Sequence, residues 1–119
     1  MAGARRRRLS RSAEFDRVYR EGRSHAGRHL VLYSFPREGD DTPPRLGLSV
    51  GRKVGGAVER NKVKRLLKEA FWQSEEKLPS DHDFVVVARA EAADFADREG
   101  LAGVKAELDE LLDKAGPKK

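Results

Sequence analysis

Apolar and small or polar positions alternate over Arg45 to Val50, with Leu46, Leu48 and Val50 on one side and Gly47 and Ser49 on the other. A period of two marks a half-buried strand. Gly51, Gly55 and Gly56 break the pattern, and glycine permits positive φ and close approach to the backbone. From about Val58 the spacing becomes helical. At 100° per residue Val63, Leu66, Leu67 and Ala70 share one stripe, which predicts a core-facing helix over Val58 to Gln73. Upstream, Phe15, Val18 and Tyr19 stand at i, i+3 and i+4, predicting a short helix with Ser12 as N-cap and Gly22 as its stop. Arg23 to Gly27 reads as a short, irregular strand. His29 to Phe35 is rich in β-formers. The turn-forming loop Pro36 to Pro44 is expected to join that strand to Arg45–Val50 as an antiparallel pair. Leu78 to Asp83 reads as a loop, and the continuous apolar run Phe84 to Ala88 as an interior strand. Glu91 to Glu99 reads as acidic and irregular. A last helix carries Leu101, Val104, Leu108, Leu111 and Leu112, weakened at its start by Gly100 and Gly103 and ended by Gly116-Pro117. These elements make one domain over residues 12–115, between a flexible basic arm (1–11) and a short tail (116–119).

Composition narrows the class. The chain has 119 residues, 38% hydrophobic and 38% charged, so the core is modest and the polar surface large. There is no cysteine, which excludes disulfides and Cys-ligated zinc and suits a reducing cytoplasm. No apolar run approaches the length of a membrane span. No hydrophobic segment follows Arg5 to Arg8, so that run is not a secretory signal.

Charge is unevenly spread. Residues 1–29 hold nine Arg and three acids, residues 45–68 eight bases and one acid, and residues 69–119 seven bases and thirteen acids. Such polarity implies that one part meets a polyanion while another faces solvent. An anionic membrane is the rival polyanion, but the basic helix has no apolar wedge beyond its core stripe. Arg60, Asn61, Lys64, Arg65 and Lys68 form a stripe roughly 140° wide beside the core stripe, with Lys62 just outside it. Basic helix faces are often only solvated surface. Here the acids that would alternate with the bases are missing, and like charges repel unless an anion is present. Asn61 adds donors and an acceptor suited to sugar and base edges. The segment therefore reads as an RNA-binding element.

The run GLSVGRKVGGAVERNKVKRLLKEAF, with Arg60, Asn61, Lys62, Val63, Lys64 and Arg65 at its centre, resembles the signature of the bacterial ribonuclease P protein subunit. The likeness extends back to RRRLSRSAEFDRVYREGRS and HLVLYSF and forward to DFVVVAR, covering roughly Arg7 to Arg89. Lys62 departs from the family, which usually has Arg there; a planar two-pronged donor becomes a point charge. The resemblance implies an α+β fold, a two-layer sandwich of about four strands in the order αβββαβα. It also implies a left-handed βαβ crossover, shared with a domain of a small-subunit ribosomal protein, where the usual hand is right. It implies contact with the catalytic RNA through Arg52, Lys53, Arg60, Asn61, Lys62, Lys64, Arg65 and Lys68. It places Phe15, Tyr19 and Tyr33 in a cleft for the single-stranded 5′ leader of precursor tRNA, where stacking tolerates any base. Aromatics at the spacing of Phe15 and Tyr19 are otherwise usually core.

No catalytic constellation is legible in the protein. His25, His29 and His82 are scattered, and no Walker-type loop is present. Asp81 and Asp83 flank His82, but a loop after a proline explains them better than a metal site. In the resembled family catalysis belongs to the RNA subunit and its Mg²⁺ ions. The protein is expected to bind no cofactor or metal, to be a monomer when free, and to lie in the cytoplasm without membrane contact. Two other readings differ in class. A ribosomal or chaperone-type RNA-binding protein of the same fold is disfavoured by the full ordered motif set. A free-standing nuclease needs catalytic residues that are not found.

Overall fold

The structure, a computed structural model, describes residues 7–9, 12–37, 43–79 and 81–115. Its elements are β1 (Arg7–Arg8), α1 (Ser12–Glu21), β2 (Arg23–Ala26), β3 (Leu30–Pro36) and β4 (Arg45–Ser49). A 3₁₀ turn (Arg52–Val54), α2 (Ala57–Gln73), a second turn (Glu75–Lys77), β5 (His82–Ala88) and α3 (Ala92–Lys114) follow. The strands form one mixed sheet in the order β1-β4-β5-β3-β2. From α1 onward the order is αβββαβα, as expected.

Three local expectations fail. First, β3 and β4 are not neighbours: β5 lies between them, antiparallel to β3 and parallel to β4. Phe84, Val85 and Val86 are buried on both faces of the sheet, and only a central strand covers such a run on every side. Second, Glu91–Glu99 is not irregular. Ala92, Phe95 and Ala96 are buried at helical spacing, and α3 begins at Ala92 with a break at Gly100 (φ 64°). Third, β5 starts at His82, so Asp83 is a strand residue rather than a loop residue.

Two of the residues assigned to the basic arm also belong to the sheet. Arg7 and Arg8 pair in parallel with Arg45 and Leu46, and the Leu9 N–H donates to the Leu46 carbonyl at 2.9 Å. Leu9 is buried. Arg5, Arg6 and the tail 116–119 lie outside the described residues.

The sheet has two unlike faces because side chains alternate across it. Leu30, Leu32, Leu46, Phe84 and Val86 point to one face, where α2 and α3 supply Val63, Leu67, Ala70, Phe71, Leu108 and Leu111. This is the main core. The opposite face carries Val85, Tyr33, Phe35 and Val87, where α1 contributes Val18 and Phe15 to a smaller cluster with Leu9. There Tyr33, Phe35 and Val87 are only partly buried, so α1 leaves much of that face open. Among the described residues no helix is long and apolar enough to cross a membrane.

Candidate nucleic-acid interface

The basic segment is built outward from β4. Val54 is buried and anchors the turn that presents Arg52 and Lys53 to solvent. A Cβ at Gly55 would stand 2.8 Å from the Glu59 side chain, so glycine makes room for that acid. The Glu59 carboxylate folds back to accept the Gly56 N–H at 3.0 Å. The one acid of the segment is thus spent on the first turn of α2, where a negative charge also suits the helix dipole. It does not neutralise the basic stripe.

The stripe itself stands in solvent. Asn61, Lys64, Arg65 and Lys68 are exposed and Arg60 is half-buried. None of the cations Arg52, Lys53, Arg60, Lys64, Arg65 and Lys68 has an ion-pair partner among the described residues. Lys62 behaves differently. It lies on the side of α2 that meets α3, and its ammonium contacts the Asp97 carboxylate. The core stripe is as expected, with Val63, Leu67 and Ala70 buried and Leu66 packed at its edge. Phe71 and Trp72 extend that core.

The three aromatics meet on the other face of the sheet. Tyr19 and Tyr33 make an edge-on contact at 4.9 Å between ring centres, and Phe15 lies 6.2 Å from Tyr19. Phe15 can reach the sheet because residue 47 is glycine: a Cβ there would stand 2.7 Å from the phenyl ring. Tyr19 remains 38% exposed, and Phe15 and Tyr33 are half-buried. The cluster is therefore neither sealed core nor free surface.

A buried ionic hub holds α1 over this face. Asp83 is fully buried. Arg45 grips it with two bonds of 2.9 Å, Arg37 binds one oxygen, and Arg17 approaches to 3.6 Å. Arg45 also binds Glu14 of α1 at 2.9 Å. The hydrogen bond to Asp83 raises the Arg45 pKa above its ordinary value despite partial burial. Arg17 lies 5.1 Å above the Phe35 ring. So Glu14, next to Phe15, and Arg17, midway between Phe15 and Tyr19, tie α1 to the sheet. Nothing in the sequence alone flagged this hub; it depends on the register that sets Arg45 opposite Asp83. With guanidinium groups on both oxygens, Asp83 is occupied structurally.

A basic helix face and a half-open aromatic face on one small sheet are a combination that comparison with known proteins resolves. The family model for Ribonuclease P matches residues 4–116. The chain belongs to the ribonuclease P protein family. The ribonuclease P protein component of Halalkalibacterium halodurans is 48% identical over 88 residues, spanning 74% of this chain and 73% of that protein. The component of Shouchella clausii is 44% identical over 108 residues, spanning 91% and 84%. The RNase P protein of Staphylococcus aureus superposes with a TM-score of 0.79 at 34% identity, over 92% of this chain and 94% of the other. The expected α+β fold is therefore that of ribonuclease P proteins. The family's holoenzyme is the endoribonuclease of tRNA 5′ processing, with catalysis in the RNA, and this chain is its protein subunit.

Proposed function

We propose that the subunit works through two surfaces on opposite faces of the sheet, one for the catalytic RNA and one for the substrate's leader. The observation that carries the first is that Arg52, Lys53, Arg60, Lys64, Arg65 and Lys68 have no ion-pair partner among the described residues, while the one acid between them, Glu59, is consumed in capping. Arg52, Lys53, Arg60, Asn61, Lys64, Arg65 and Lys68 bind the catalytic RNA, mainly by neutralising phosphates and releasing counterions. Lys62 joins them only on leaving Asp97. Phe15, Tyr19 and Tyr33 stack on unpaired bases of the 5′ leader of precursor tRNA, with α1 held at its working height by the Asp83 hub. The protein carries no cofactor; Mg²⁺ belongs to the RNA subunit, where metal-activated water hydrolyses the phosphodiester. The protein's cations lower phosphate repulsion around that site and so lessen its demand for Mg²⁺. It acts in the cytoplasm, as a monomer when free.

The test is cleavage of a precursor tRNA at limiting Mg²⁺ by the cognate catalytic RNA, with and without this protein. The protein should raise the rate and should not cut alone; cutting by the protein alone would restore the nuclease reading. Changing Arg60, Lys64 and Arg65 together to Ala should weaken binding to the catalytic RNA. Each lost phosphate contact should lower the log–log salt slope by roughly 0.7–0.9. An unchanged slope in a folded variant would refute the assignment.

A further inference from the structure

A groove of about 890 Å³ lies between β4 and the basic side of α2, and Leu9 and Phe15 of the aromatic cluster also line it. Its floor is apolar, with Leu46, Leu48 and Trp72. β1 pairs only with Arg45 and Leu46, so no described strand covers β4 at Leu48. Arg8 stands on one side, and Lys64, Arg65 and Lys68 stand on the other. These four cations are exposed and lack ion-pair partners among the described residues.

One acid, Glu69, lines this basic groove. It is exposed, and it neither pairs with a neighbouring cation nor caps anything among the described residues. A surface that only neutralised phosphates would be weakened by a carboxylate within it. A carboxylate there is useful if the ligand also brings a hydrogen-bond donor. An apolar floor, a cationic rim, the Glu69 carboxylate and the Gln73 amide together match a nucleotide: a flat base, a phosphate and an exocyclic amine.

We propose that this groove takes an unstacked, amino-bearing nucleobase of the catalytic RNA. The base lies on the half-buried Leu48, beside the buried Trp72. Its amino group donates to Glu69, as cytosine and adenine amines donate to carboxylates and amides elsewhere. Its phosphates meet the rim cations. Uracil, with no exocyclic amine, is disfavoured. The proposal rests on α2 being the face that binds the catalytic RNA, and it adds a base-reading site to that surface.

The experiment measures affinity for the catalytic RNA alone, without tRNA, at several salt concentrations. Three proteins are compared: unchanged, Glu69→Leu and Glu69→Gln. Position 69 is exposed, so both variants should keep the unchanged protein's thermal midpoint. Phosphate neutralisation by itself predicts that removing an acid leaves binding equal or tighter. The groove predicts the opposite sign. Glu69→Leu should bind roughly 10- to 100-fold more weakly, the worth of a hydrogen bond to a charged group. Glu69→Gln keeps an acceptor oxygen and should recover most of that loss. The salt slope should be the same in all three, because no phosphate contact is removed. Equal or tighter binding by Glu69→Leu overturns the proposal, as does a loss that appears only when precursor tRNA is added. If the unchanged protein binds the catalytic RNA without salt dependence, the reading of α2 as the RNA face fails first. If its slope is normal and Glu69→Leu is silent, only the base site fails.

Discussion

Tyr19→Ala separates a stacking platform from a core. A fully buried aromatic costs about 3–5 kcal/mol of stability when truncated to Ala. Tyr19 is 38% exposed and its main ring contact is the edge-on pair with Tyr33 at 4.9 Å. Such a pair is worth about 0.5–1.5 kcal/mol beyond area burial. With part of the ring already in solvent, the stability cost should be about 1–2 kcal/mol. Val18→Ala is the matched control. Val18 is fully buried on the same helix, and losing two methyl groups there should cost a similar amount, about 2 kcal/mol. The two variants should therefore melt alike. They should differ with RNA. Each stacked base is worth about 1–3 kcal/mol, or roughly 5- to 150-fold in affinity. Tyr19→Ala holoenzyme should lose that factor for precursor tRNA and almost nothing for mature tRNA, while Val18→Ala should lose little for either. Thermal unfolding and equilibrium binding of both RNAs decide it. Equal losses for the two RNAs, or a Tyr19→Ala protein that unfolds, would return this aromatic to the core and leave the leader site unassigned.

Three other perturbations probe the framework around these surfaces. Leu67→Asp puts a charge where the side chain is 1% exposed, so it should unfold the protein, at a cost of several kcal/mol; a folded variant that loses only RNA affinity would show the faces of α2 reversed. Lys62→Gln breaks an exposed pair with Asp97, so circular dichroism melts should show a stability change under about 1 kcal/mol. Its salt slope for the catalytic RNA should be unchanged, whereas Lys64→Gln should lower it by roughly 0.7–0.9; equal slopes for the two variants would place Lys62 on the RNA after all. Asp83→Ala removes the buried carboxylate that Arg37 and Arg45 share and should cost about 3–5 kcal/mol in denaturant unfolding. A loss below about 1 kcal/mol would mean the hub does not hold α1.

Much of this molecule is written in short-range pattern. Val63, Leu67 and Ala70 repeat at helical spacing, and Leu46 and Leu48 alternate, so α2 and β4 follow from residues within one or two turns of each other. The unbalanced bases from Arg52 to Lys68 mark the polyanion face, because charge on an exposed helix needs no tertiary partner to be read. The ordered motifs further identify the family, and with it the fold. What the tertiary structure decided depends on contacts between distant residues. The apolar run Phe84–Ala88 announces an interior strand, but which strands flank it is settled only when β4, α2 and β5 pack together and displace β3 from β4. The register Arg45–Asp83 then creates an ionic hub from residues 38 apart in sequence. The spacing of Ala92, Phe95 and Ala96 was present in the chain, yet surrounding acids masked it until α2 supplied the apolar surface that those residues cover. Phe15 over Gly47, Lys62 against Asp97, and an idle Glu69 beside an apolar groove likewise exist only once separate elements meet. Periodicity constrains the face a residue takes on its own element; the side chain it meets across a layer is chosen by packing of the whole fold.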